Sequence, residues 1–270
     1  MGLNIVACIK QTPATTSIQL DAATGKIITQ GLTYGINPLD EYALEEALRI
    51  KERVPGSWVA VLTLGRPQAS DALREALARG ADSAYHLSDE AFVGSDTYGT
   101  SYLLAQGIKK IQTEKSANID IVLCAKQTND GDSGQVGPAI AVWLGWPNVA
   151  YVRKIQDINA QTIRVERTME DGTDVLEMDL PALLSVVKEI NEPRLPSLKG
   201  KMASKKAVIP TWKAADIGAD ASKIGEAGSL TKIWKRQTPP VRTGGVRIEG
   251  ATAEEKAVKF VEKIKELKLL

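Results

Sequence analysis

The first two-thirds of the chain alternate between short apolar runs and longer segments in which apolar residues recur every three or four positions. The short runs predict buried strands, and the longer segments predict helices. Strands that alternate with helices favour right-handed crossovers and a mainly parallel sheet with helices on both faces. The sequence therefore predicts a doubly wound α/β domain. Its predicted strands are 3–9, 57–64, 83–87, 119–125 and 182–187, and its predicted helices are 40–53, 69–79, 97–111 and 138–144.

The pattern of polar and apolar positions changes after Asn148. Residues 162–169 and 173–180 alternate between polar and apolar side chains, and the Asp171-Gly172 turn between them is a strong signal for a β-hairpin. We expect this hairpin to belong to the α/β domain. The predicted domain therefore covers residues 1–187, with the hairpin at 162–180.

Residues 188–250 lose clear periodicity and contain prolines at positions 193, 196, 210, 239 and 240. A stretch of that length without regular structure is unusual inside a compact domain. We expect an extended arm that packs along a partner, and a loop over its own domain is the alternative. Residues 251–270 predict an amphipathic C-terminal helix, because Thr252 and Glu255 form a capping-box pattern before an apolar stripe.

The charge balance limits the classes of partner. The chain has 34 basic and 33 acidic residues, a formal net charge of +1, so it has no global attraction to nucleic acid or to an anionic membrane surface. No apolar run approaches the roughly 18 residues that span a bilayer. The N-terminus shows no signal-peptide pattern. We therefore expect no nucleic-acid binding, no membrane insertion and a cytoplasmic location.

The usual catalytic side chains are scarce. Cys8 and Cys124 lie in apolar runs, which indicates reduced, buried thiols rather than a disulfide. The single histidine, His86, is best interpreted as a strand-end residue. The sequence has no Ser-His-Asp set, no HExxH and no GxxxxGK[ST] motif. We predict no catalytic side chain and no metal site, so a bound cofactor would carry any chemistry.

The most informative segment joins the predicted strand 119–125 to the helix that follows it. Ligands of open α/β sheets bind beyond the carboxyl ends of the strands. Glycines spaced three apart leave backbone N–H groups free and let a ligand approach closely, and a helix N-terminus favours a phosphate. The pattern is not GxGxxG, so an ordinary βα loop is the alternative. The residues of this candidate phosphate site are Asp130, Gly131, Asp132, Ser133, Gly134, Gln135, Val136 and Gly137.

Three other segments allow two interpretations each. Asn37-Pro38-Leu39-Asp40 precedes a helix, and capping is the better interpretation from the residues alone. Asp96 also precedes a helix, where it could cap or bind a ribose hydroxyl. A basic cluster in the predicted arm is ordinarily a solvated surface, and the alternative is a site for an acidic partner or a phosphate. This cluster consists of Lys199, Lys201, Lys205 and Lys206.

Several motifs follow one another along nearly the whole chain. They are Cys8-Ile9-Lys10-Gln11; Ile36-Asn37-Pro38-Leu39-Asp40 followed by Ala43-Leu44-Glu45-Glu46-Ala47; Gly80-Ala81-Asp82; Lys126-Gln127 before the glycine loop; and Asn191-Glu192-Pro193-Arg194. In this order they resemble the small (beta) subunit of electron-transfer flavoproteins. The glycine loop and the Asn-Glu-Pro-Arg motif make the resemblance specific.

The resemblance implies a heterodimer with a larger alpha subunit that carries a flavin. It also implies an adenine-nucleotide pocket formed by the glycine loop together with Cys8, Lys10, Asn37, Pro38, Leu39, Asp40 and Leu64. The segment after Asn191 resembles the family's recognition loop, which docks a flavin dehydrogenase of the acyl-CoA dehydrogenase type. Its docking residues would be Arg194, Leu195, Leu198, Lys199 and Lys201, with Leu198 as the apolar anchor.

The family has two subtypes. In the housekeeping type the pocket holds AMP as a structural element, and the alpha-subunit FAD shuttles electrons from acyl-CoA dehydrogenases. In the electron-bifurcating type the pocket holds a second FAD, which accepts hydride from NADH and sends electrons to ferredoxin or flavodoxin and to the dehydrogenase. The glycine loop and the pattern Phe92-x-Gly94-x-Asp96-Thr97 resemble the bifurcating type, whose NADH site would include Gly94, Asp96 and Thr97. Gly134, in place of alanine, and Gln30-Gly31, in place of Glu-Gly, depart from that pattern. A nucleotide-binding module without a redox role is the remote alternative.

Overall fold

The computed structural model describes residues 2–15, 20–21, 28, 30–235, 237 and 244–269. The chain divides into two compact units. The first comprises Met1–Ile18 and Ile27–Trp234, and the second comprises Gln19–Lys26 and Lys235–Leu270. Among the described residues, no helix has both the length and the apolar character needed to cross a bilayer.

The first unit contains a mainly parallel sheet. In the described residues its nine strands lie in the order β11-β5-β4-β1-β6-β10-β7-β8-β9, and β2 and β3 form a separate antiparallel pair. The strands from β11 to β7 run parallel, whereas β7, β8 and β9 form an antiparallel extension. Their bounds are β1 Asn4–Cys8, β2 Gln11–Pro13, β3 Tyr34–Ile36, β4 Trp58–Leu64, β5 Ser83–Leu87, β6 Ile121–Ala125, β7 Asn148–Ile158, β8 Thr162–Thr168, β9 Thr173–Asp179, β10 Ala182–Val186 and β11 Thr211–Trp212.

Helices cover both faces of this sheet. The helices of the first unit are α1 Asp40–Arg53, α2 Ser70–Arg79, α3 Thr97–Lys115, α4 Val136–Leu144, α5 Leu198–Lys206 and α6 Gly225–Gly228. Short 3₁₀ turns occupy Pro67–Ala69, Glu90–Phe92, Lys188–Ile190, Ala215–Ile217 and Ala221–Lys223.

The core consists of two apolar layers, one on each face of the sheet. Successive residues of a strand point to opposite faces. Ile5 of β1 therefore packs in the layer that contains Leu44 of α1, and Val6 packs in the layer that contains Leu103 of α3. All four side chains are fully buried. The predicted doubly wound fold with its β-hairpin is confirmed.

Several elements were not anticipated from the sequence, among them β7, α5 and β11. β7 was missed because its buried residues, Val149, Val152 and Ile155, recur every three positions rather than every two, and its pairing with β8 is interrupted by register shifts. The expectation that residues 188–250 lack regular structure is wrong where α5 and β11 form. α5 gave no helical signal because its contact with α2 uses a glycine rather than an apolar stripe: a Cβ on Gly200 would lie 2.1 Å from Ala78 O.

The described part of the second unit contains helix α7, Ala253–Glu266. Thr252 Oγ1 accepts the Glu255 N–H at 3.2 Å, and the Glu255 carboxylate accepts the Ala251 N–H at 2.8 Å. The first bond satisfies an N–H group that the first helical turn leaves open, and the second ties the residue before the cap to the helix. The predicted amphipathic helix is confirmed, and Val258, Phe260, Val261 and Leu267 are exposed along it.

Candidate functional site

The carboxyl ends of β1, β4 and β6 lie side by side at one edge of the sheet, because β1 pairs in parallel with both of the others. Cys8 and Leu64 are the last residues of β1 and β4. Lys10, just after β1, contacts Asp130 in the glycine loop, and its N–H donates to Asp40 Oδ2 at 2.7 Å. The structure thus brings together predicted residues that are far apart in the sequence. We call this edge, formed by residues 8–10, 37–40, 64 and 126–137, the strand-end cleft.

Asn37 ties the loop after β1 to the start of the glycine loop, and it is fully buried. Its Nδ2 donates to Gln127 O at 3.1 Å, and its Oδ1 accepts the Asn129 N–H at 3.1 Å. Its own N–H donates to Lys10 O at 2.8 Å. Both polar atoms of the side chain are therefore bonded inside the protein, which gives Asn37 a positioning role in the cleft.

The acidic side chains of the glycine loop are also held by neighbours. Lys10 Nζ lies 2.7 Å from Asp130 Oδ2, so an ion pair crosses from the end of β1 to the loop. Partial burial acts to raise the pKa of Asp130, but Lys10 outweighs it, and the net shift is downward. Gln127 Nε2 donates to Asp132 Oδ1. These contacts partly offset the negative charge that the loop would otherwise present to an anion.

The backbone of the glycine loop faces solvent. Asp132 and Gly134 adopt left-handed conformations, with φ of 49° and 64°, a geometry that turns successive N–H groups toward one concavity. In the described part of the chain, the N–H groups of Ser133, Gly134 and Gln135 donate to no protein acceptor. A Cβ on Gly137 would lie 2.4 Å from Ser185 Oγ, so only glycine lets α4 begin this close to β10.

The floor of the cleft carries a carboxyl group and two thiols. Burial raises the pKa of Asp40 to about 7, although the hydrogen bond from the Lys10 N–H acts to lower it. Cys8 and Cys124 are free and buried, as predicted. Contact with Cys8, together with burial, raises the pKa of Cys124. Asp40 is therefore about half protonated near pH 7, and the raised pKa keeps the Cys124 thiol protonated.

His86 lies within β5 and is almost fully buried. Its Nε2 is 3.2 Å from Gly65 O, and burial lowers its pKa. The ring is thus a neutral core residue. Among the described residues, no group of three or more His, Cys, Asp or Glu side chains could hold a metal ion.

The segment that opens α3 reaches the glycine loop. Thr97 Oγ1 donates to Gln135 Oε1 at 3.1 Å. Asp96 caps the helix, since its Oδ1 accepts the Gly99 N–H at 3.0 Å. Its Oδ2 accepts both the N–H and the hydroxyl of Thr231, at 2.8 and 3.0 Å. Burial acts to raise the pKa of Asp96, but these hydrogen bonds outweigh it and lower the pKa. No sequence pattern had pointed to Thr231.

The predicted docking residues lie in what we call the docking segment, residues 191–208. Arg194 is engaged inside the chain: its Nε is 2.8 Å from Glu45 Oε2 and its Nη2 is 3.1 Å from Glu52 Oε2. Both carboxylates raise the pKa of Arg194. Asn191 Nδ2 donates to Glu46 Oε2 at 3.1 Å. The Asn-Glu-Pro-Arg motif therefore attaches the docking segment to α1.

Helix α5, in the docking segment, is fixed on one side and open on the other. Gly200 packs closely on α2, and Arg74 Nη1 donates to Ser204 O at 2.7 Å and to Ala207 O at 3.2 Å, which satisfies carbonyls at the end of the helix. Sequence reasoning missed Arg74, because a single arginine on a helix gives no signal for its distant partner. Leu195, Leu198 and Met202 are 86%, 78% and 65% exposed, and Lys199, Lys201, Lys205 and Lys206 are exposed on the same segment.

A doubly wound unit with a glycine loop at its strand-end cleft is typical of nucleotide-binding proteins. The model of the electron transfer flavoprotein domain matches residues 24–217. The caffeyl-CoA reductase-Etf complex subunit CarD of Acetobacterium woodii is 45% identical over 264 residues, 98% of each chain. The electron transfer flavoprotein subunit beta of Megasphaera elsdenii is 42% identical over 257 residues, 95% of each chain. Protein FixA of Azorhizobium caulinodans is 42% identical over 243 residues, 89% of this chain and 86% of that one. The chain belongs to the electron transfer flavoprotein family, as a beta subunit.

The strand-end cleft fits the flavin or nucleotide cofactor that this family implies. A phosphate needs several donors, and the exposed N–H groups of residues 133–135 supply them. The acids Asp130 and Asp132 are held by Lys10 and Gln127, which limits their repulsion of an anion. Among the described residues, Asn129 Oδ1 and Ser185 Oγ are buried without a protein partner beside this loop. The donor set therefore suits a phosphate-bearing ligand.

Proposed function

We propose that this chain is the small subunit of a heterodimeric, electron-bifurcating electron transfer flavoprotein in the cytoplasm. Its strand-end cleft binds FAD, and a larger alpha subunit carries another flavin. The FAD in the cleft takes a hydride from NADH and passes one electron toward ferredoxin or flavodoxin and the other toward a flavin dehydrogenase. In the competing form of the family, the same cleft holds AMP in a structural role.

The observation that carries the proposal is the hydrogen bond from Thr97 Oγ1 to Gln135 Oε1 at 3.1 Å. It joins the segment that resembles the NADH region of bifurcating members to the loop that resembles their cofactor loop. A hydride moves only between groups in contact, so the binding elements for NADH and for the cofactor must meet. This contact supports assigning NADH to the segment that contains Gly94, Asp96 and Thr97.

The residues of the cleft have separate roles in this proposal. The N–H groups of residues 133–135 and the first turn of α4 bind the pyrophosphate, aided by the Ser133 hydroxyl and the Gln135 amide. Lys10 and Asn37 hold the loop in place, while Cys8, Pro38, Leu39 and Leu64 line the pocket. Asp40 is partly protonated near pH 7, so it repels the phosphates less than an ordinary carboxylate would. The protein positions the cofactor and needs no side-chain nucleophile.

The docking segment is the proposed site for the dehydrogenase. Leu195 and Leu198 would enter an apolar pocket of the partner, and Lys199 and Lys201 would steer the encounter. Arg194 contributes by anchoring the segment to α1. The name of the Acetobacterium woodii relative, a subunit of a caffeyl-CoA reductase-Etf complex, supports a partner that acts on a CoA ester.

The nucleotide content of the complex tests the subtype. The chain is purified with its alpha subunit, the nucleotides are released with acid, and FAD and AMP are quantified. We expect two FAD per heterodimer and no AMP. One FAD and one AMP per heterodimer would contradict the bifurcating assignment, and the proposed NADH site would fall with it.

The variant Thr97→Val tests the NADH site, because it removes the hydroxyl that reaches Gln135 and leaves the Asp96 cap in place. A hydrogen bond of this kind is worth about 1 kcal/mol, so we expect NADH to reduce the flavin roughly fivefold more slowly, with FAD content unchanged. Thr113→Val is the matched control, since its hydroxyl bonds Lys109 O at 3.1 Å along the same helix. Equal rates in the two variants would argue against NADH binding at this segment.

A further inference from the structure

Two stretches of the first unit, residues 91–97 and 225–231, are joined by hydrogen bonds at several points. Ser95 Oγ accepts the Gly225 N–H at 2.8 Å, and Ser229 Oγ accepts the Asp96 N–H at 2.9 Å. The same Ser229 Oγ lies 3.0 Å from Gly94 O. The segment assigned above to NADH is therefore not a free loop.

The backbones of these stretches also approach each other closely. A Cβ on Gly225, which has a φ of 67°, would lie 2.8 Å from Ala91 O. A Cβ on Gly94, which has a φ of 85°, would lie 3.0 Å from Glu226 Cβ. Both glycines are needed for their backbone conformation and for the space they leave. The two stretches are thus packed together as well as hydrogen-bonded.

Asp96 is the central side chain of this contact. One carboxylate oxygen caps α3 through the Gly99 N–H, and the other accepts the two donors of Thr231 at 2.8 and 3.0 Å. Hydrogen bonds to an ionised acceptor are the stronger kind. The chain leaves the first unit after Trp234, close to Thr231 in sequence. Asp96 consequently fixes both the start of α3 and the last part of the first unit.

We propose that Asp96 is a positioning residue, which acts on NADH through the stretch Ser229–Thr231 rather than by binding the dinucleotide itself. With both carboxylate oxygens bonded to the protein, Asp96 holds this stretch against the segment that receives NADH. Ser229 and Thr231 thereby become part of that site. This inference rests on the proposed function, because it concerns how NADH is bound there.

A double-mutant cycle in the heterodimer tests the proposal. Asp96→Asn keeps a side chain able to cap the helix but replaces one acceptor oxygen with an amide NH2 donor, so the Thr231 N–H loses its acceptor. Thr231→Val removes only the hydroxyl donor. We expect the KM for NADH to rise about tenfold in Asp96→Asn and about threefold in Thr231→Val, with unchanged FAD content. In the double variant the KM for NADH should rise about tenfold, as in Asp96→Asn alone, because both changes affect the same contact.

A direct bond from Asp96 to NADH predicts a different result. Thr231→Val would then behave like wild type, and the two changes would combine independently; either finding would overturn the proposal. Thr211→Val, an exposed threonine on β11, is the control for the loss of a hydroxyl.

A second measurement does not depend on NADH. Hydrogen exchange of the peptide 229–234 in the heterodimer should accelerate in Asp96→Asn, because the Thr231 N–H loses its acceptor. Asp89→Asn is the matched control, since Asp89 Oδ2 accepts the Ala214 N–H at 2.9 Å and does not bond Thr231. Unchanged exchange in Asp96→Asn would overturn the inference. If NADH fails to reduce the wild-type complex, the proposed function falls, and the exchange result still decides whether Asp96 holds Thr231.

Discussion

The strand-end cleft and the docking segment differ in the groups that they leave exposed to a ligand. In the cleft, polar side chains such as Asn37 and Lys10 bond to the protein, while N–H groups of the glycine loop remain open. At the docking segment, Arg74 of α2 binds backbone carbonyls and Arg194 binds the buried carboxylate of Glu45, while Leu195 and Leu198 are left exposed. The cleft therefore offers backbone donors, and the docking segment offers side chains.

This difference matches the kind of ligand each region suits. Fixed N–H groups suit a small anion, whose oxygen atoms accept several short hydrogen bonds at once. Exposed leucines beside lysines suit a protein surface, where burial of an apolar side chain gives affinity and charge speeds the encounter.

Asp40→Asn tests whether ionisation of the buried Asp40 carboxyl lowers the free energy of unfolding. Because the folded-state pKa of about 7 exceeds the ordinary Asp value, wild type loses stability as the pH rises from about 4 to about 7. Asparagine does not ionise and can still accept the Lys10 N–H. We expect a gain of about 4 kcal/mol at pH 8 and about 2 kcal/mol at pH 5, measured by denaturant unfolding of the heterodimer. A gain that is independent of pH would contradict the assignment.

Arg194→Ala tests whether the docking segment is anchored by buried charge. Glu45 is 5% exposed and also pairs with Arg49 at 3.0 Å, so the loss of its hydrogen bonds to Arg194 should cost about 2 kcal/mol of unfolding free energy. The matched control is Arg164→Ala, whose ion pair with Glu177 is half exposed and should be worth less than about 1 kcal/mol. If both variants lose the same small amount, Arg194 does not anchor the segment.

Leu198→Glu tests the exposed side of the docking segment. Leu198 is 78% exposed, so the substitution should leave the unfolding free energy within about 0.5 kcal/mol of wild type. Electron transfer to the dehydrogenase should need at least about tenfold more partner for half-maximal rate. Val142→Glu on α4 is the control, because Val142 is 77% exposed and lies outside the segment. Comparable weakening by both variants would remove the special role of Leu198.

Lys199→Glu tests steering and should have the smallest effect. A charge at the rim of an interface changes the association rate more than the dissociation rate. We expect the rate constant for association with the dehydrogenase to fall a few-fold at low salt and to approach wild type above about 0.5 M salt, where screening is strong. Stopped-flow measurements at several ionic strengths check this, and a loss that persists at high salt would indicate a direct contact instead.

Local patterns were enough for much of the fold. The predicted helix 40–53 and strand 83–87 have the bounds that the structure shows, because their apolar spacing and their burial agree. β7 and α5 could not be found in this way. The buried residues of β7 do not alternate along the strand, and the buried contact of α5 is made by Gly200, which carries no apolar side chain.

The sequence by itself determined most of the α/β alternation, the glycine loop at a strand end and the motifs of the family, because each depends on residues close together in the chain. Only the tertiary structure decided which polar groups remain free for a ligand. The sequence did not reveal that Asp96 accepts from Thr231 as well as capping α3, or that Arg194 binds Glu45 and Glu52. A side chain's availability depends on partners more than a hundred residues away, and the fold alone brings those partners within hydrogen-bonding distance.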